Sequence, residues 1–337
     1  MTKAIGCISG GLDSTLAMAL IQRQGIEVIA LHALHLWHPL PPEAGAKPRA
    51  VRAAESLGIP IRLIDATAAD LDMVLHPRHG LGKRMNPCID CRIWVLGQAR
   101  ALMEAEGAAF VFTGEVLGQR PMSQRRPVME LIERESDLGD LLVRPLSAKR
   151  LSPTKPEREG ILQREKLLGI VGRSRHEQMA LAAELGITDY PSPAGGCLLT
   201  DPAFAFRLRE LVAHKTPTAA DVELLKVGRH LRLADGTLVV IGRNHEDNLR
   251  VERLFQPGDV RLEATDIMGP TTLVRGNAGA GNVALAAAIT LRYTKTEPDA
   301  RRRMNVAPVS AAPYVIEVAP ADDAEARRWI LSPEGRA

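Results

Sequence analysis

The chain has 337 residues, of which 45% are apolar and 25% charged, and its formal net charge is +3. This composition excludes a disordered or low-complexity chain and is typical of a globular protein with about two domains. No apolar run approaches the roughly 20 residues that a membrane-spanning helix needs, so we expect no membrane partner. Four cysteines are few for a secreted scaffold, and an apolar strand begins almost at once. We therefore expect no signal peptide and a cytoplasmic location.

A glycine turn separates the first predicted strand from the first predicted helix. Residues 4–8 are an apolar run with the length of a buried parallel strand, and residues 15–21 have helical apolar spacing. Between them, residues 9–15 read Ser-Gly-Gly-Leu-Asp-Ser-Thr. A strand, a glycine turn and a helix together aim free backbone N–H groups at an anion, and Gly10 and Gly11 allow a phosphate to approach closely. The sequence therefore predicts a phosphate site here.

The polar residues of this turn add a second argument. Ser9, Ser14 and Thr15 are hydroxyl donors, whereas the carboxylate of Asp13 would repel phosphates. Asp13 makes sense if it holds a magnesium ion or orients the attacking group. The simpler alternative is an ordinary tight turn between a strand and a helix, which the complete string disfavours.

Further apolar runs at residues 27–32, 61–64, 108–113 and 141–146 predict more strands. The interval of about twenty residues between the first two strands fits a βαβ crossover and hence a parallel sheet. His32, His35 and His38 are three residues apart, which suggests metal binding on a helix. Because His32 closes a strand and prolines follow His38, we favour a loop near the nucleotide.

Cysteines form the second group of candidate residues. Cys88 and Cys91 form a Cys-x-x-Cys after Asn86-Pro87, at the start of a predicted helix whose dipole favours a thiolate at Cys88. Such a pair is a redox pair, two ligands of a metal or cluster, or a coincidence. A zinc knuckle would need a second pair, which the sequence lacks. Cys197 follows two glycines in a predicted loop, so it is the natural third partner, whereas Cys7 lies inside the first strand and is expected in the core.

Residues 144–175 hold nine Lys or Arg against three acidic residues, a local net charge of +6. Such a basic face suits nucleic-acid binding, although a solvated helix surface explains the charge equally well.

The chain changes character after about residue 216, where a hairpin turn at Asp235-Gly236 and a helix at 283–291 are predicted. We expect a domain at residues 1–203, a linker helix at 204–224, a second domain at 225–320 and a frayed tail at 321–337. The predicted fold class is α/β, a doubly wound parallel sheet with a smaller α+β C-terminal domain.

The Ser-Gly-Gly-x-Asp-Ser string resembles the signature of the PP-loop ATP pyrophosphatases, which cleave ATP between the α and β phosphates. The resemblance implies ATP and Mg²⁺ as ligands and places the end of the second strand against the adenine. The cofactor-binding residues that it implies are Ser9, Gly10, Gly11, Asp13, Ser14, Thr15, Leu31, His32 and Gly114.

Two further groups of motifs, within roughly residues 1–205, indicate which PP-loop enzymes the chain resembles. Asn-Pro-Cys-x-x-Cys and Gly-Gly-Cys-Leu-Leu are similar to the motifs of tRNA 2-thiouridylases. Residues 113–119 with Arg144-Pro145-Leu146 are similar to the PP-loop domain of tRNA 4-thiouridine synthases. The resemblance implies an ATP-dependent tRNA sulfurtransferase that adenylates a uridine oxygen and replaces it with sulfur, giving 4-thiouridine or 2-thiouridine. AMP and pyrophosphate would be released, and Asp13, Cys88 and Cys197 would be catalytic.

The source of sulfur stays open. Cys88, Cys91 and Cys197 match the pattern of thiolases that bind a [4Fe–4S] cluster, whose fourth iron holds a sulfide. Alternatively, Cys197 carries a persulfide that Cys88 resolves, and Cys91 is a bystander. A sulfur donor is needed in either case, such as a cysteine desulfurase, a carrier protein or free sulfide, because no rhodanese-like module is seen.

RNA contact is expected from two regions. No THUMP-type RNA-binding domain precedes the PP-loop, but residues from about 225 are similar to the NFACT-R module through Gly228-Arg229-His230 and Gly242-Arg243-Asn244. In the basic face, tRNA phosphates would meet Arg144, Lys149, Arg150, Arg173 and Arg175. Two other functions compete: a PP-loop synthetase or sulfur transferase acting on a small molecule, and a non-enzymatic RNA-binding protein with a relic nucleotide fold.

Overall fold

The chain forms two compact units, Met1–Cys197 and Leu198–Ala337. The computed structural model describes residues 2–40, 45–191 and 196–333. Within these ranges, no helix combines the length and the apolar character that crossing a membrane requires. The predicted domain limits at 203 and 225 stay predictions.

The first unit is built on a five-stranded parallel sheet with the order β3-β2-β1-β4-β5. Its strands are β1 (Lys3–Cys7), β2 (Glu27–Leu34), β3 (Ile61–Asp65), β4 (Phe110–Thr113) and β5 (Leu142–Val143). Its helices are α1 (Leu12–Gln22), α2 (Arg49–Ser56), α3 (Thr67–Leu75), α4 (Cys88–Glu106), α5 (Arg126–Glu135), α6 (Lys155–Arg158) and α7 (His176–Glu184). Short 3₁₀ turns lie at Gly139–Leu141, Ala148–Arg150 and Arg164–Lys166.

Both faces of this sheet are covered, which explains the continuous apolar runs of its strands. Alternate side chains of β1 point to opposite faces: Ala4 packs with Met18 of α1 in one cluster, and Ile5 packs with Leu96 of α4 in the other. The predicted α/β class with a parallel sheet is therefore confirmed. The fifth strand is shorter than the run at 141–146 predicted, because only Leu142 and Val143 pair with β4.

The second unit carries a six-stranded sheet with the order β11-β10-β8-β9-β7-β6 and antiparallel pairing. Its strands are β6 (Arg229–Arg232), β7 (Leu238–Ile241), β8 (Val260–Ala264), β9 (Thr272–Arg275), β10 (Arg302–Pro308) and β11 (Tyr314–Val318). A 3₁₀ turn at Leu198–Thr200 precedes α8 (Pro202–His214), α9 (Ala219–Leu225), α10 (His245–Glu252), α11 (Ala280–Leu291) and α12 (Asp323–Trp329). The predicted hairpin turn at Asp235-Gly236 joins β6 to β7.

Two predictions about this unit are wrong. The linker helix at 204–224 is two helices, because Thr218 and Asp221 form a capping box that starts α9 afresh. The tail after residue 320 is not frayed up to residue 333: it forms α12, and Ala326 is buried in the core of the unit. The backbone N–H of Leu331 donates to the carbonyl of His230, which ties the end of this segment to β6.

Asp247 contacts both of the glycine motifs that the sequence analysis singled out in this unit, residues 228–230 and 242–244. Its Oδ2 accepts the backbone N–H groups of Gly228 and Arg243, each at 3.2 Å, as well as the Nε–H of Arg243 at 2.5 Å. Gly228 has a φ of +70°, and a Cβ there would lie 2.8 Å from the carbonyl oxygen of Ile241. Both motifs therefore lock the β6–β7 hairpin to the start of α10, which is a structural role.

We predict that Asp247→Ala destabilises the second unit by about 3 kcal/mol, because two backbone donors and Arg243 lose a charged acceptor. The urea midpoint of that unit measures the effect. Asp266→Ala is the control, because Asp266 has only a long, exposed contact of 3.4 Å with Arg302 and should cost less than about 0.5 kcal/mol. Equal losses in the two variants would contradict the assigned role of Asp247.

Candidate functional site

The predicted phosphate turn is closed by its own hydroxyl groups. The backbone N–H of Ser9 donates to Oγ of Ser14 at 3.2 Å, and the two hydroxyls lie 3.1 Å apart. Ser14 and Thr15 each donate to the carbonyl of Gly11 at 3.0 Å. No side chain caps α1, which begins directly after Gly11. The N–H groups of its first turn are therefore left to an incoming anion.

Glycine is needed at two places around this turn. Gly10 has a φ of +73°, and a Cβ there would lie 2.6 Å from the backbone N of Ala50 at the start of α2. A Cβ on Gly114, directly after β4, would lie 2.5 Å from the backbone of Asp13 and Ser14. The turn is therefore held between α2 and the end of β4, and a side chain at either glycine would displace it.

Asp13 carries the unexplained polar atom of this site. Its Oδ2 accepts Nε2–H of Gln119 at 3.1 Å. Its Oδ1 is buried and has no hydrogen-bond partner among the residues that the structure describes. A buried carboxylate oxygen without a partner is costly, and a cation next to the phosphate turn would satisfy it. These residues therefore fit Mg²⁺, with Asp13 as the protein ligand and Gln119 orienting it.

Both residues expected against the adenine contact Ile8, His32 through its ring and Leu31 through its backbone carbonyl, which accepts the N–H of Ile8 at 2.9 Å. His32 donates from Nδ1 to the carbonyl of Ile8 at 2.8 Å, which joins the end of β2 to the residue before Ser9. Burial lowers the pKa of His32, so its ring is neutral around pH 7. Leu31 is 2% exposed and packs in the core on the α4 side of the sheet. Its side chain therefore supports the strand, and the placement of Leu31 against the adenine stays a prediction.

The Cys-x-x-Cys lies at the same edge of the sheet as the turn. Arg92, directly after Cys91, contacts the carboxylate of Glu115 at 3.5 Å. Glu115 in turn follows Gly114, whose backbone touches that of Asp13. Oppositely charged groups thus fix the start of α4 beside the phosphate turn.

Each thiol of this motif has a polar partner. Sγ of Cys88 accepts Nδ2–H of Asn86 at 3.2 Å, and Sγ of Cys91 lies 3.8 Å from Nε2 of His35. Cys197 is half-buried at the end of the first unit. Residues 192–195 of its predicted glycine loop lie outside the described residues. Cys7 is in the core as predicted, and its burial raises its pKa to about 12.

The arrangement of the described residues gives no support to the metal-binding alternatives. Among the described residues, which include all four cysteines, no group of three or more His, Cys, Asp or Glu side chains is arranged to hold a metal ion. Cys88, Cys91 and Cys197 therefore do not fit a [4Fe–4S] cluster in this arrangement. His32 and His38 stack at 5.5 Å, and His35 meets His38 edge-on at 5.3 Å, so these rings pack on one another.

One residue of the predicted basic face is misassigned. Arg144 is 2% exposed and donates to Glu115 at 3.0 Å, to the carbonyl of Met129 and to Glu133. It is therefore not available to RNA phosphates. Burial raises the pKa of Glu115, but the charges of Arg144 and Arg92 outweigh this and hold the pKa below its usual range. The remaining residues of the predicted set are surface residues: Lys149, Arg150 and Arg173 are exposed and Arg175 is half-buried.

Comparison with known proteins agrees with this organisation. Residues 228–330 match the family model described as NFACT protein RNA binding domain. The tRNA-specific 2-thiouridylase of Thermus thermophilus is 31% identical over 150 residues, which cover 37% of this chain and 39% of that protein. The chain thus spans about two fifths of the length of this curated relative.

Two solved structures align with parts of this chain at low sequence identity. A 4-thiouridine synthetase–RNA complex with bound ATP covers 67% of this chain and 52% of its own, with 19% identity and a TM-score of 0.36. The U34-tRNA thiolase of Methanococcus maripaludis with its [4Fe–4S] cluster covers 58% of this chain and 61% of its own, with 18% identity and a TM-score of 0.31.

The first unit thus shows similarity to the PP-loop superfamily, and residues 228–330 of the second unit match an NFACT-type RNA-binding domain. More particularly, the sequence similarity is to the tRNA-specific 2-thiouridylases, over less than half of this chain. The predicted resemblance is therefore confirmed at the level of superfamily and domain.

Three residues at this edge were missed by sequence reasoning: Gln119, His35 in its pairing role, and Asp70. Gln119 stands in the quoted Gly114–Gln119 string, so its proximity to Asp13 had a signal. Asp70 had none, because it lies in a short helix and its contact with His35 joins residues 35 positions apart.

We predict that Arg144→Ala destabilises the first unit by about 3–5 kcal/mol, because Glu115 would be left as a buried charge with only Arg92 near it. Thermal or urea unfolding of that unit measures the loss. Arg173→Ala is the control, because Arg173 is an exposed arginine of the same basic segment, and it should change stability by less than about 0.5 kcal/mol. A stable Arg144→Ala variant would show that the buried network is not needed.

Proposed function

We propose that this protein is an ATP-dependent tRNA-uridine thiolase. The observation that carries the proposal is the unpartnered Oδ1 of Asp13 inside a glycine turn, at the sheet edge where α4 presents Cys88 and Cys91. A phosphate site and two thiols at one edge suit a reaction that activates an oxygen with ATP and replaces it with sulfur. The related 2-thiouridylases and the RNA-binding family match support tRNA as the substrate.

In this proposal the turn residues hold ATP with its α-phosphate toward the uridine. The uridine oxygen bonds to the α-phosphorus and pyrophosphate leaves, assisted by the N–H groups of the first turn of α1. Asp13 would hold a cation, which would supply neutralisation of phosphate charge. Sulfur then attacks the activated carbon, and the carbon–oxygen bond breaks as AMP leaves. His32 is neutral and donates its Nδ1–H to the carbonyl of Ile8. In this proposal it therefore shapes the turn and transfers no proton during the reaction.

The proposed sulfur route uses thiols and not iron. Cys197 carries the sulfur as a persulfide and Cys88 resolves it as a disulfide, the assignment that does not need a metal. Cys88 suits this role because it stands at the first position of a 19-residue helix, where the dipole stabilises a thiolate. The amide N–H of Asn86 adds a donor to the same sulfur.

Two surfaces are proposed for tRNA. The first surface is formed by Lys149, Arg150 and Arg173, which are exposed cations of the first unit, and the NFACT-R domain of the second unit supplies the other. Lys149 and Arg150 donate to the carbonyls of Glu165 and Gly169, which holds both side chains against the segment that follows. Cations held in this way keep a fixed spacing for phosphates.

Asp13→Asn is expected to lower tRNA-dependent AMP release at least a hundredfold, because the amide keeps the bond to Gln119 but not the charge that binds the cation. Release of labelled AMP from ATP, with and without tRNA, measures this. Asp65→Asn is a matched control, because Asp65 is an exposed carboxylate at the end of neighbouring β3. Full activity of Asp13→Asn would overturn the proposed ATP site.

The double variant Lys149→Ala with Arg150→Ala is expected to weaken tRNA binding and to reduce the slope of log affinity against log salt by about 1–2. Filter binding at several salt concentrations measures both. Lys47→Ala is the control, because this exposed lysine pairs with Glu55 elsewhere on the unit. Unchanged tRNA binding with intact AMP release on a metabolite would instead support a small-molecule substrate.

The product is tested in cells. Thionucleosides of tRNA from cells with and without the protein should differ by one thiouridine, which also identifies the oxygen that is replaced. Identical thionucleosides in both would overturn the proposal.

A further inference from the structure

Cys91 stands at the end of a chain of three side chains from three different elements. Nδ1 of His35, in the loop after β2, lies 2.8 Å from Oδ1 of Asp70 in α3. Nε2 of the same ring lies 3.8 Å from Sγ of Cys91 in α4, a normal sulfur hydrogen-bond distance. Both ring nitrogens are thus engaged, one by a carboxylate and the other by a thiol.

The carboxylate of Asp70 is held in place by its own contacts. Asp70 is 1% exposed, and its Oδ2 accepts the backbone N–H of Leu36 at 2.6 Å. Its position therefore fixes the ring of His35 from the side away from the thiol. Nδ1–H donates to the carboxylate, which leaves Nε2 to accept the thiol proton. Carboxylate, imidazole and thiol in this order is the arrangement that activates a nucleophilic cysteine.

The groups around His35 favour a positive charge on its ring and a negative charge on Cys91. His38 and Trp94 pack edge-on against the ring of His35 at 5.3 and 6.4 Å. Burial lowers the pKa of His35, but its hydrogen bonds with Asp70 and Cys91 outweigh this and raise the pKa to about 10. The ring of His35 is therefore protonated on both nitrogens, and positively charged, through neutral pH. Among the described residues, His32 interacts electrostatically with His35, His38 packs against its ring, and Arg92 interacts with Cys91 as well as with Glu115, Cys7 and Cys88.

We propose that Asp70 and His35 hold Cys91 as a thiolate and that Cys91 is the nucleophile that accepts sulfur from the donor, before the sulfur passes to Cys197. Cys91 is then neither a bystander nor an iron ligand, in agreement with the lack of a metal-holding group among the described residues. His35 acts on the reacting sulfur, and Asp70 is a positioning residue. Only the nature of the incoming sulfur compound rests on the proposed function.

The step balances without an added oxidant. The thiol proton passes to Nε2 of His35, and the electron pair stays on the sulfur. The thiolate attacks the outer sulfur of a donor persulfide, so a sulfur–sulfur bond forms on Cys91 while the donor's own sulfur–sulfur bond breaks. The donor leaves as a thiolate with that electron pair.

Alkylation of the full-length protein tests the thiolate without tRNA, ATP or donor, so its failure is distinct from a failure of the proposed function. Limiting iodoacetamide is added at pH 5.5–9, and peptide mass spectrometry follows Cys88, Cys91 and Cys197 separately. The rate at Cys91 should be nearly constant from pH 6 to 8. In His35→Gln it should fall roughly tenfold at pH 6.5 and rise with pH like an ordinary thiol. Asp70→Asn should shift the profile in the same direction by less.

A second histidine–aspartate pair, at the end of α3, provides the matched control. Nδ1 of His76 lies 2.9 Å from Oδ1 of Asp72, but both of these side chains are 74% exposed, whereas Asp70 is buried. His76→Gln and Asp72→Asn should leave the profile of Cys91 unchanged. A wild-type rate at Cys91 that climbs with pH like that of a free thiol would overturn the proposal, and this readout needs no variant to fold. Protection of Cys91 by bound iron after anaerobic purification would overturn it as well.

The sulfur step has its own readout. Incubation with glutathione persulfide should add one sulfur, about 32 Da, to the Cys91 peptide, and His35→Gln should reduce this addition roughly tenfold. Addition to Cys88 or Cys197 alone would overturn the role of Cys91 as the acceptor.

Discussion

The contact between Gly114 and the backbone of Asp13 is the constraint on which the site depends. It presses the end of β4 against the phosphate turn so closely that no side chain fits between them. Everything that follows β4 is thereby placed relative to the turn: Glu115 reaches Arg92, and Gln119 reaches Asp13. Two backbone segments in van der Waals contact are rigid because protein interiors resist compression. The cation ligand and the start of α4 are thus fixed by the same contact.

Much of the fold was predictable because its strands follow simple rules. Buried parallel strands such as β1 and β4 are short apolar runs, and the glycine turn after β1 carries a string that ordinary tight turns seldom contain. The second unit was harder, because α9 and α12 are seven residues long and their apolar pattern is brief. Their stability comes from capping and from contacts distant in sequence, which no local pattern displays.

The site was predicted in part, and the misses share one cause. Residue type marks Asp13 and the cysteines as candidates for chemistry. It did not tell us that Arg144 is buried, because an arginine after a strand looks the same whether it faces solvent or a carboxylate. The partner that decides its role, Glu115, lies 29 residues earlier. The pairing of Asp70 with His35 was hidden in the same way, since a buried aspartate has no sequence signature.

The buried charges also explain why the thiols at this edge differ from one another. Glu115 is compensated by Arg144 on one side, so it does not consume the whole charge of Arg92. Burial lowers the pKa of Arg92, but the attraction of Glu115 and of the neighbouring thiol groups outweighs this and raises it. Arg92 thus places a positive charge beside the thiol groups of this edge. Cys91 has this cation and a buried histidine–aspartate pair, whereas Cys88 has the helix terminus and an amide. Two thiols one helical turn apart therefore have different surroundings, which is the basis for proposing different steps for them, acceptance of sulfur for Cys91 and resolution for Cys88.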